Sequence, residues 1–464
     1  MLTLQDKNLL ILPDDFGLAT DFYELTMAAA YFYSKQTDRK GIFELFVRKL
    51  PRNRSYMVAA GLEQALNYLL DLRFNDNTIS YLQSNETFKD IEDDFYEYLR
   101  TFKFTGTVWA VPEGSILFPN EPVIRVEAPI IESQIVETFL LSTINFESLI
   151  ASKASRITDV AKEKSVIEFG FRRAHGPQAS VLAARASFIA GCVGSSNTLV
   201  GYKLGMPVFG TMAHSFIMNF DKEIEAFEKF SNVFPNALLL VDTYDTIEAV
   251  KKITKSGIRT RGIRLDSGDL YSLSIQARKI LDDAGYSDTK IMASGDLNEY
   301  IIQDLVKRGA PIDYFGVGTE LTTSRDDPAM NGVYKLVAVE IPETDTKSGS
   351  KLIYKIKTSP GKKTYPGPKQ IYRIFSNGLI KKDIIGLEEK EFSQEDTCVP
   401  QLRKFMENGK LLFDLPSIWE IQKFHLQQRN TLPPEFRRID FTPVRFPVFY
   451  SENLEKITRE LKPA

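Results

Sequence analysis

The sequence predicts an α/β fold with a TIM-like α/β barrel, complete or incomplete, at its centre. Between residues 165 and 341, short β-favouring runs alternate with longer helix-compatible stretches, which is the pattern of successive βα units. The runs are SVIEFG, MPVFGTMA, ALLLVDTY, RGIRLDSG, TKIMASGD and IDYFGVGT. Each run is followed by polar residues or glycines, so six consecutive strands bring functional groups to one edge of the sheet.

The spacing of those strand ends favours a barrel over an open sheet. The polar residues and glycines in question are Arg172, His214, Asp242, Asp266, Asp296, Gly316 and Gly318. In an open sheet with strands about 4.8 Å apart, the first and sixth strands would be separated by roughly 24 Å, too far for one small substrate. Closure would make the same residues converge, as they do in barrel enzymes.

The flanking regions have a different pattern. Residues 1–150 combine a helical segment near DFYELTMAAAYFY with short strands, which indicates a mixed α/β domain. The barrel is predicted at 151–341. Residues 342–464 form a less regular region expected to pack back on the first two, with a polar hairpin tip at 343–351.

Composition narrows the class of partner. The chain has 58 basic and 61 acidic residues, a net charge of -3, so it lacks the basic surplus typical of nucleic-acid binders. Cys192 and Cys398 are the only cysteines, which excludes a disulfide framework and favours a reducing compartment, the cytoplasm. Since no secretion signal or uncharged apolar run of about 18 residues is visible, we expect no membrane span.

His214 is one of three histidines, and it follows a β-favouring run and a Gly-Thr turn. A core histidine satisfied by a backbone carbonyl is the ordinary alternative for an isolated histidine. The turn lets a ligand approach the backbone, and Asp242 in VDTYDT could hold the imidazole in one tautomer. The pattern therefore suggests an activated nucleophile or base.

Arg264 and Asp266 alternate along GIRLDSGDL, so both project to one face of an extended strand. A carboxylate can accept from a sugar diol, and a guanidinium can donate to an anion. A structural ion pair beside an Asp-Ser-Gly turn is the equally weighted alternative.

Glycines and aromatic residues complete the predicted edge. Gly295 with Asp296, and Gly316 with Gly318, would let backbone amides cradle a phosphate after late barrel strands. Arg172 follows another strand, where Phe169 offers an aromatic face, although phenylalanines in strands more often belong to the core. The stretch SPGKKT lacks the first glycine of a phosphate-binding loop, so Lys362, Lys363 and Lys369 remain either a solvated loop or an anion site.

Eight ordered motifs, spanning residues 18 to 375, resemble those of nicotinate phosphoribosyltransferases. They are TDFYELTMA, FELFVRKLP, EFGFRRAHGP, GTMAHSF, LVDTYDT, GIRLDSGDL, FGVGTEL and KTSPGKKTYPGPKQIYR. The resemblance implies transfer of 5-phosphoribosyl from phosphoribosyl pyrophosphate to nicotinate, coupled to ATP hydrolysis. It also implies an incomplete α/β barrel packed against an α/β sandwich domain, in a homodimer.

The resemblance also implies roles for individual residues. His214 would be phosphorylated by ATP, Arg264 and Asp266 would hold phosphoribosyl pyrophosphate, and Mg²⁺ would arrive on the phosphates. Phe169 and Arg172 would flank the pyridine ring and its carboxylate. The remaining implied substrate contacts are Gly295, Asp296, Gly318 and Thr319 at the ribose 5-phosphate, and Tyr23, Asp21 and Arg48 from the partner subunit.

Two other functions stay open. Asn197 in GSSNTLVG stands where related nicotinamide enzymes resemble one another in carrying aspartate, and a neutral residue there would not repel the nicotinate anion. Asn197 thus favours nicotinate as the substrate, and nicotinamide phosphoribosyltransferase activity is the second hypothesis. A catalytically silent phosphosugar-binding protein is the third, and the presence of His214 as a nucleophile argues against it.

Overall fold

A computed structural model describes residues 9–342, 350–359, 361–388, 398–440 and 442–461. The chain divides into two compact units. Unit 1 comprises Met1–Ser148, Ala329–Phe436 and Val444–Ala464, and unit 2 comprises Leu149–Pro328 and Arg437–Pro443. Most of the region expected at 342–464 thus belongs to the same unit as the amino-terminal region. The predicted hairpin tip at 343–351 lies largely outside the described residues.

The strands are numbered in chain order. They are β1 Lys40–Val47, β2 Met57–Val58, β3 Thr107–Ala110, β4 Ile116–Leu117, β5 Pro122–Pro129, β6 Ser165–Glu168, β7 Gly194–Ser195, β8 Leu238–Leu240, β9 Gly262–Leu265, β10 Lys290–Ala293, β11 Tyr314–Val317, β12 Gly332–Pro342, β13 Ser350–Tyr354, β14 Lys369–Ser376, β15 Leu379–Leu387, β16 Cys398–Pro400, β17 Arg403–Glu407, β18 Lys410–Leu411 and β19 Val448–Tyr450.

The helices follow the same numbering. They are α1 Phe22–Tyr33, α2 Leu62–Asp71, α3 Asp76–Ser84, α4 Asp93–Arg100, α5 Ile130–Ile135, α6 Glu137–Val160, α7 Pro177–Ile189, α8 Thr198–Leu204, α9 His214–Met218, α10 Glu223–Val233, α11 Thr246–Lys255, α12 Leu270–Asp283, α13 Glu299–Lys307, α14 Thr319–Thr322, α15 Ile418–Asn430, α16 Pro434–Arg437 and α17 Glu452–Glu460. Short 3-10 helices occur at Pro13–Leu18, Glu86–Phe88 and Phe171–Arg173.

Unit 2 contains a parallel sheet in the order β7-β6-β11-β10-β9-β8. A parallel bridge between Ser195 and Val208 adds one more segment beside β7. Neighbouring strands in the sheet are consecutive along the chain, with one exception. The first strand, β6, pairs with the last, β11. Within residues 149–328, all of which are described, pairing is missing only between the Val208 segment and β8. The predicted incomplete α/β barrel is confirmed.

Side-chain caps stabilise the starts of four helices in unit 2. Asn197, Asp245, Asp269 and Asn298 each accept a hydrogen bond from a backbone amide in the first turn of α8, α11, α12 and α13, respectively. Such caps satisfy amides that have no partner within the helix. The loops between strand and helix therefore have defined lengths, which holds the residues at the strand ends in place.

Unit 1 is built on mainly antiparallel sheets, in which β15 and β19 form a parallel pair. The largest has seven strands in the order β13-β12-β1-β5-β3-β17-β18, and a second has the order β16-β14-β15-β19. Long β1 is buried over nearly its whole length because it pairs with β12 on one side and β5 on the other. Strands from both ends of the sequence thus share one sheet.

One helical stretch, Ile130–Val160, has the length and mean hydropathy of a membrane-crossing helix. In the structure, 61% of its most apolar window is buried inside the protein. The core helix of a globular protein passes the same test of length and composition.

A buried charge cluster supports the four-stranded sheet of unit 1. Arg373 and Asp383 are paired across β14 and β15, both fully buried, and Arg373 Nη2 lies 2.6 Å from Asp383 Oδ2. Glu121 Oε2 lies 3.9 Å from the same nitrogen, Arg373 Nη2. Burial raises the pKa of Glu121 well above its ordinary value, and the nearby Asp383 carboxylate adds to this shift. One cation therefore serves two buried carboxyl groups.

We predict that Arg373→Met destabilises unit 1 severely, because it leaves Asp383 buried without a cation. Breaking a buried pair in this way costs about 3–5 kcal/mol. Denaturant unfolding followed by tryptophan fluorescence should show a clear fall in the midpoint. The control is Arg100→Met, which removes an exposed pair with Glu97 on α4 and should cost less than about 1 kcal/mol. Equal losses in the two variants would contradict the prediction.

Candidate active site

A cavity of about 780 Å³ opens at the carboxyl ends of the barrel strands in unit 2. Its volume is within the range of about 300–1,000 Å³ that is usual for small-molecule sites. Nine residues predicted from the sequence line it: Phe169, Arg172, Arg264, Asp266, Gly295, Asp296, Gly316, Gly318 and Thr319. The loops after four strands, β6, β9, β10 and β11, thus contribute to one site.

Arg264 forms the centre of the polar wall. Its Nη2 lies 2.6 Å from Asp266 Oδ1, so the predicted pair on one strand face is formed within the protein. Its Nε donates to Ser294 Oγ at 2.9 Å, and its Nη1 donates to Thr211 Oγ1 at 3.1 Å. Three side chains therefore hold the guanidinium in place in the wall of the cavity.

Asp266 is a carboxylate that stays ionised despite partial burial. Burial alone would raise its pKa, but the Ser294 hydroxyl donates to Oδ1 at 2.5 Å and the Arg264 charge lies beside it. Together these interactions hold the pKa of Asp266 below its ordinary value. The cavity thus contains an anionic acceptor suited to sugar hydroxyls.

The loop after β10 approaches the backbone of Asp266 closely. Gly295 has a φ of +91°, and a Cβ at this position would overlap the Asp266 carbonyl oxygen. Asp296 follows with a φ of 45°, an unusual conformation for a residue other than glycine. Two consecutive residues with positive φ turn the chain sharply here. Backbone strain of this kind is common at ligand-binding sites.

Phe169 and Arg172 lie on the loop after β6. The Phe169 ring packs against Gly316, where a Cβ would lie 2.7 Å from the ring. The Arg264 guanidinium carbon is 5.5 Å from the centre of the same ring. Arg172 belongs to the exposed 3-10 turn Phe171–Arg173. One aromatic face and several cations therefore border the same space.

His214 is the first residue of α9, and its side chain is 41% exposed. Its Nε2 lies 3.9 Å from Asp266 Oδ2, which brings it next to the cavity lining. Its Nδ1 lies 3.1 Å from Thr243 Oγ1. The structure thus gives the imidazole a hydroxyl partner where the sequence suggested the neighbouring Asp242.

The Asp242 carboxylate forms hydrogen bonds with the loop after β9 instead. Its Oδ2 accepts from Ser267 Oγ at 2.5 Å and from the Asp266 amide at 3.3 Å. Its Oδ1 is buried, and no described residue forms a hydrogen bond with it. Because these contacts aim Oδ2 at the β9 loop, Asp242 supports Asp266 rather than the histidine.

Asn197 is fully buried behind the cavity. Its Oδ1 accepts from the Leu199 and Val200 amides, and its Nδ2 donates to Ser180 Oγ at 3.2 Å. The preceding residue, Ser196, lines the cavity. The side-chain amide of Asn197 thus caps α8 through its oxygen and binds Ser180 through its nitrogen.

The other three predicted residues, Tyr23, Asp21 and Arg48, lie in unit 1. Tyr23 is 46% exposed in the first turn of α1. Burial and the Glu137 and Glu24 carboxylates raise the pKa of Tyr23. The pKa of Glu24 itself is raised to about 7, chiefly by burial. Asp21 accepts from Thr138 Oγ1 at 2.7 Å.

Arg48 belongs to a cluster of cations in unit 1. Its Nη2 donates to the Lys362 carbonyl at 3.4 Å. The pKa of Lys335 is lowered by burial, and the charges of Arg48, Lys357 and Lys362 lower it further. Such mutual repulsion indicates a region of positive potential that favours an anion.

The sequence did not single out Thr211, Ser294, Ser196 or Thr243, which the structure places in or beside the site. Ser294 and Ser196 directly follow strands, in MASGD and GSSN, and Thr211 and Thr243 come three residues after Val208 and β8, in FGTMA and VDTYD. Position after a strand was therefore the available signal. Short hydroxyl side chains are common in turns, so the residue type alone did not distinguish them.

No group of three or more His, Cys, Asp or Glu side chains able to hold a metal ion occurs among the residues that the structure describes.

Comparison with known proteins agrees with this architecture. Residues 18–145 match the profile of the nicotinate phosphoribosyltransferase (NAPRTase) N-terminal domain, and residues 388–458 match the C-terminal domain. Residues 165–409 match the nicotinate phosphoribosyltransferase (NAPRTase) family. All three parts of the chain thus point to one family.

Whole-chain similarities are extensive. A nicotinate phosphoribosyltransferase of Mycobacterium tuberculosis is 41% identical, over 94% of this chain and 92% of the relative. That of Bacillus subtilis is 40% identical, over 95% of this chain and 94% of the relative. The crystal structure of human nicotinic acid phosphoribosyltransferase has a TM-score of 0.82 at 27% identity, covering 96% of this chain and 100% of that chain. This chain belongs to the nicotinate phosphoribosyltransferase family.

Proposed function

We propose that this protein transfers 5-phosphoribosyl from phosphoribosyl pyrophosphate to the ring nitrogen of nicotinate, giving nicotinate mononucleotide and pyrophosphate in NAD salvage. The observation that carries the proposal is the combination, in one cavity, of an aromatic wall, a carboxylate and three arginines. Arg172, Arg173 and Arg264 all line the space beside Phe169 and Asp266. A planar anionic base and a phosphorylated sugar match these features.

The binding roles follow from the positions of the side chains. Asp266 accepts from the ribose hydroxyls, and Arg264 stabilises the pyrophosphate. The amides of Gly295, Asp296, Gly318 and Thr319 surround the ribose 5-phosphate, because their loops lack bulky side chains at the closest approach. Phe169 lies against the pyridine ring, and Arg172 pairs with its carboxylate. Asn197 keeps Ser196 in place at the base.

The chemistry needs stabilisation of charge more than proton transfer. The ribose C1–O bond to pyrophosphate breaks, and the lone pair of the pyridine nitrogen forms the new C1–N bond. Positive charge develops on the ribose near the ionised Asp266, and negative charge develops on pyrophosphate near Arg264. Mg²⁺, carried on the phosphates, would neutralise part of their charge. The buried Oδ1 of Asp242, without a partner among the described residues, suits a ligand to this ion.

ATP hydrolysis is coupled through His214. A neutral imidazole nitrogen attacks the γ-phosphorus, the bond from this phosphorus to the β-phosphate oxygen breaks, and ADP leaves. The phosphohistidine is later hydrolysed to phosphate and free imidazole. His214 is suited to this role because its side chain is exposed and adjacent to Asp266. Phosphorylation of His214 improves the binding of phosphoribosyl pyrophosphate. The gain in affinity equals the extra free energy with which this substrate interacts with the phosphorylated site rather than the free site.

A homodimer completes each site in this proposal, and the enzyme works in the cytoplasm. Tyr23, Asp21 and the cation cluster around Arg48 lie in unit 1, and the partner's unit 1 supplies them to the cavity. The free thiols of Cys192 and Cys398 suit a reducing compartment.

We predict that the purified protein with phosphoribosyl pyrophosphate, Mg²⁺ and ATP converts nicotinate much faster than nicotinamide. Arg172→Met should raise the KM for nicotinate by about 10- to 100-fold, since a hydrogen bond to a charged group is worth about 1.5–3 kcal/mol. The KM for nicotinamide, which lacks the carboxylate, should change little. Product is measured by chromatography of labelled base. Faster turnover of nicotinamide would establish a nicotinamide phosphoribosyltransferase instead. Binding of the ligands without product formation would establish a catalytically silent phosphosugar-binding protein.

We predict that His214→Ala uncouples the reaction without abolishing it. Arg264, Asp266 and the glycine loops remain, so slow synthesis of nicotinate mononucleotide should persist while ATP hydrolysis and stimulation by ATP disappear. Mass spectrometry under non-acidic conditions should find an acid-labile phosphate on His214 in the parent. The other histidines, His175 and His425, are internal controls and should stay unmodified. An alanine variant that still responds to ATP would make His214 a structural residue.

We predict that Tyr23→Ala and His214→Ala complement each other if the partner's unit 1 completes the site. Each variant alone should lack ATP-stimulated synthesis. A mixture allowed to exchange subunits should regain part of it, because one of the two sites in a hybrid dimer is intact. Exchange is followed with differently tagged chains. Confirmed exchange without any recovery would place both residues in the site of a single chain.

A further inference from the structure

Glu168, the last residue of β6, is a carboxylate that the proposed reaction does not use. Its side chain is almost completely buried, with 1% exposure, and it is not part of the cavity lining. Burial raises the pKa of Glu168, although hydrogen bonds from Ser195 and the Gly170 amide oppose the shift. A buried carboxyl group is costly, so its partners indicate what it does.

The two carboxylate oxygens bind donors from two different loops. Oε1 accepts from the Gly170 amide, on the loop after β6. Oε2 accepts from Ser195 Oγ at 2.5 Å, at the end of β7. The Ser195 hydroxyl oxygen in turn accepts from the Asn197 amide at 2.9 Å. Glu168 therefore connects the segments that follow two neighbouring strands.

Both segments carry residues of the cavity. Phe169 and Arg172 flank Gly170 on the first loop, and Ser196 follows Ser195 on the second. Gly170 also has little room to move, because a Cβ there would lie 2.5 Å from Thr322 Cβ. The loop is thus in close contact with both Glu168 and Thr322.

We propose that Glu168 is a positioning residue that sets the geometry of the base-binding wall by fixing the Phe169–Arg172 loop against Ser196. This inference deepens the proposed function and rests on it, because the wall is the one assigned to the aromatic acid. The phosphate loop after β10 has its own contacts, because Gly295 lies against the Asp266 carbonyl and Ser294 binds Arg264, and neither of these contacts involves Glu168. Loss of its hydrogen bonds therefore weakens binding of nicotinate selectively.

The test compares binding of nicotinate with the ATP reaction. Glu168→Ala removes both connections and should raise the Kd and KM for nicotinate on the order of tenfold, the effect of losing one or two hydrogen bonds. ATP hydrolysis measured without nicotinate should stay within about twofold of the parent, since a factor of two is under 0.5 kcal/mol. Glu168→Gln should recover most of the affinity, because its carbonyl accepts from the Gly170 amide and its NH₂ donates to Ser195 Oγ.

Two serine variants keep the test valid even when Glu168→Ala does not fold. Ser195→Ala removes only the β7 connection and should raise the KM for nicotinate by a smaller factor. Ser187→Ala makes the same change at a buried position on α7 whose Oγ has no hydrogen-bond partner among the described residues. This control should match the parent in both assays.

The outcomes separate the two proposals. Unchanged nicotinate affinity in Glu168→Ala or, when that variant does not fold, in Ser195→Ala overturns the positioning role. Parallel losses of nicotinate binding and ATP hydrolysis also overturn it, since they indicate general damage to the barrel. A parent protein that neither binds nicotinate by calorimetry nor forms its mononucleotide refutes the proposed function, and the inference with it.

Discussion

One guanidinium, that of Arg264, connects the strand ends on which the cavity depends. It pairs with Asp266 on its own strand, donates to Ser294 after β10 and to Thr211 after the Val208 segment, and lies near the Phe169 ring after β6. Thr211 and Arg264 stand on opposite sides of the place where pairing between strands is missing. A side-chain contact therefore joins segments that no backbone ladder connects, and it does so at the carboxyl edge where the cavity opens.

The polar contacts at that edge determine the charge of Asp266 and the orientation of the side chains around it. Ser294 and Arg264 keep Asp266 ionised, and the Asp242 carboxylate is used to hold the backbone of Asp266. His214 contacts both the Thr243 hydroxyl, at Nδ1, and the Asp266 carboxylate, 3.9 Å from Nε2. These two contacts orient the imidazole ring so that Nε2 lies beside a residue of the cavity lining.

Buried ionic groups have different consequences in the two units. In unit 1, Arg373 and Asp383 face each other across a sheet and contribute to its register. In unit 2, Glu168 joins loops that carry cavity residues, so its burial bears on ligand geometry. The physical rule is the same in both places, since a buried charge needs partners. What differs is whether those partners belong to the core or to loops at the site.

The sequence by itself determined the βα alternation, the incomplete barrel, the family and nine of the residues that line the cavity. These features are readable because hydrophobic periodicity and turn chemistry are local, and because the residue after a barrel strand points to the functional edge. Only the tertiary structure decided that Thr243 holds His214, that Asn197 is buried as a helix cap, and that Ser294 and Thr211 fix Arg264. These pairings depend on which strand ends become neighbours and on how close each side chain comes to its partner, and spacing along the chain does not contain that information.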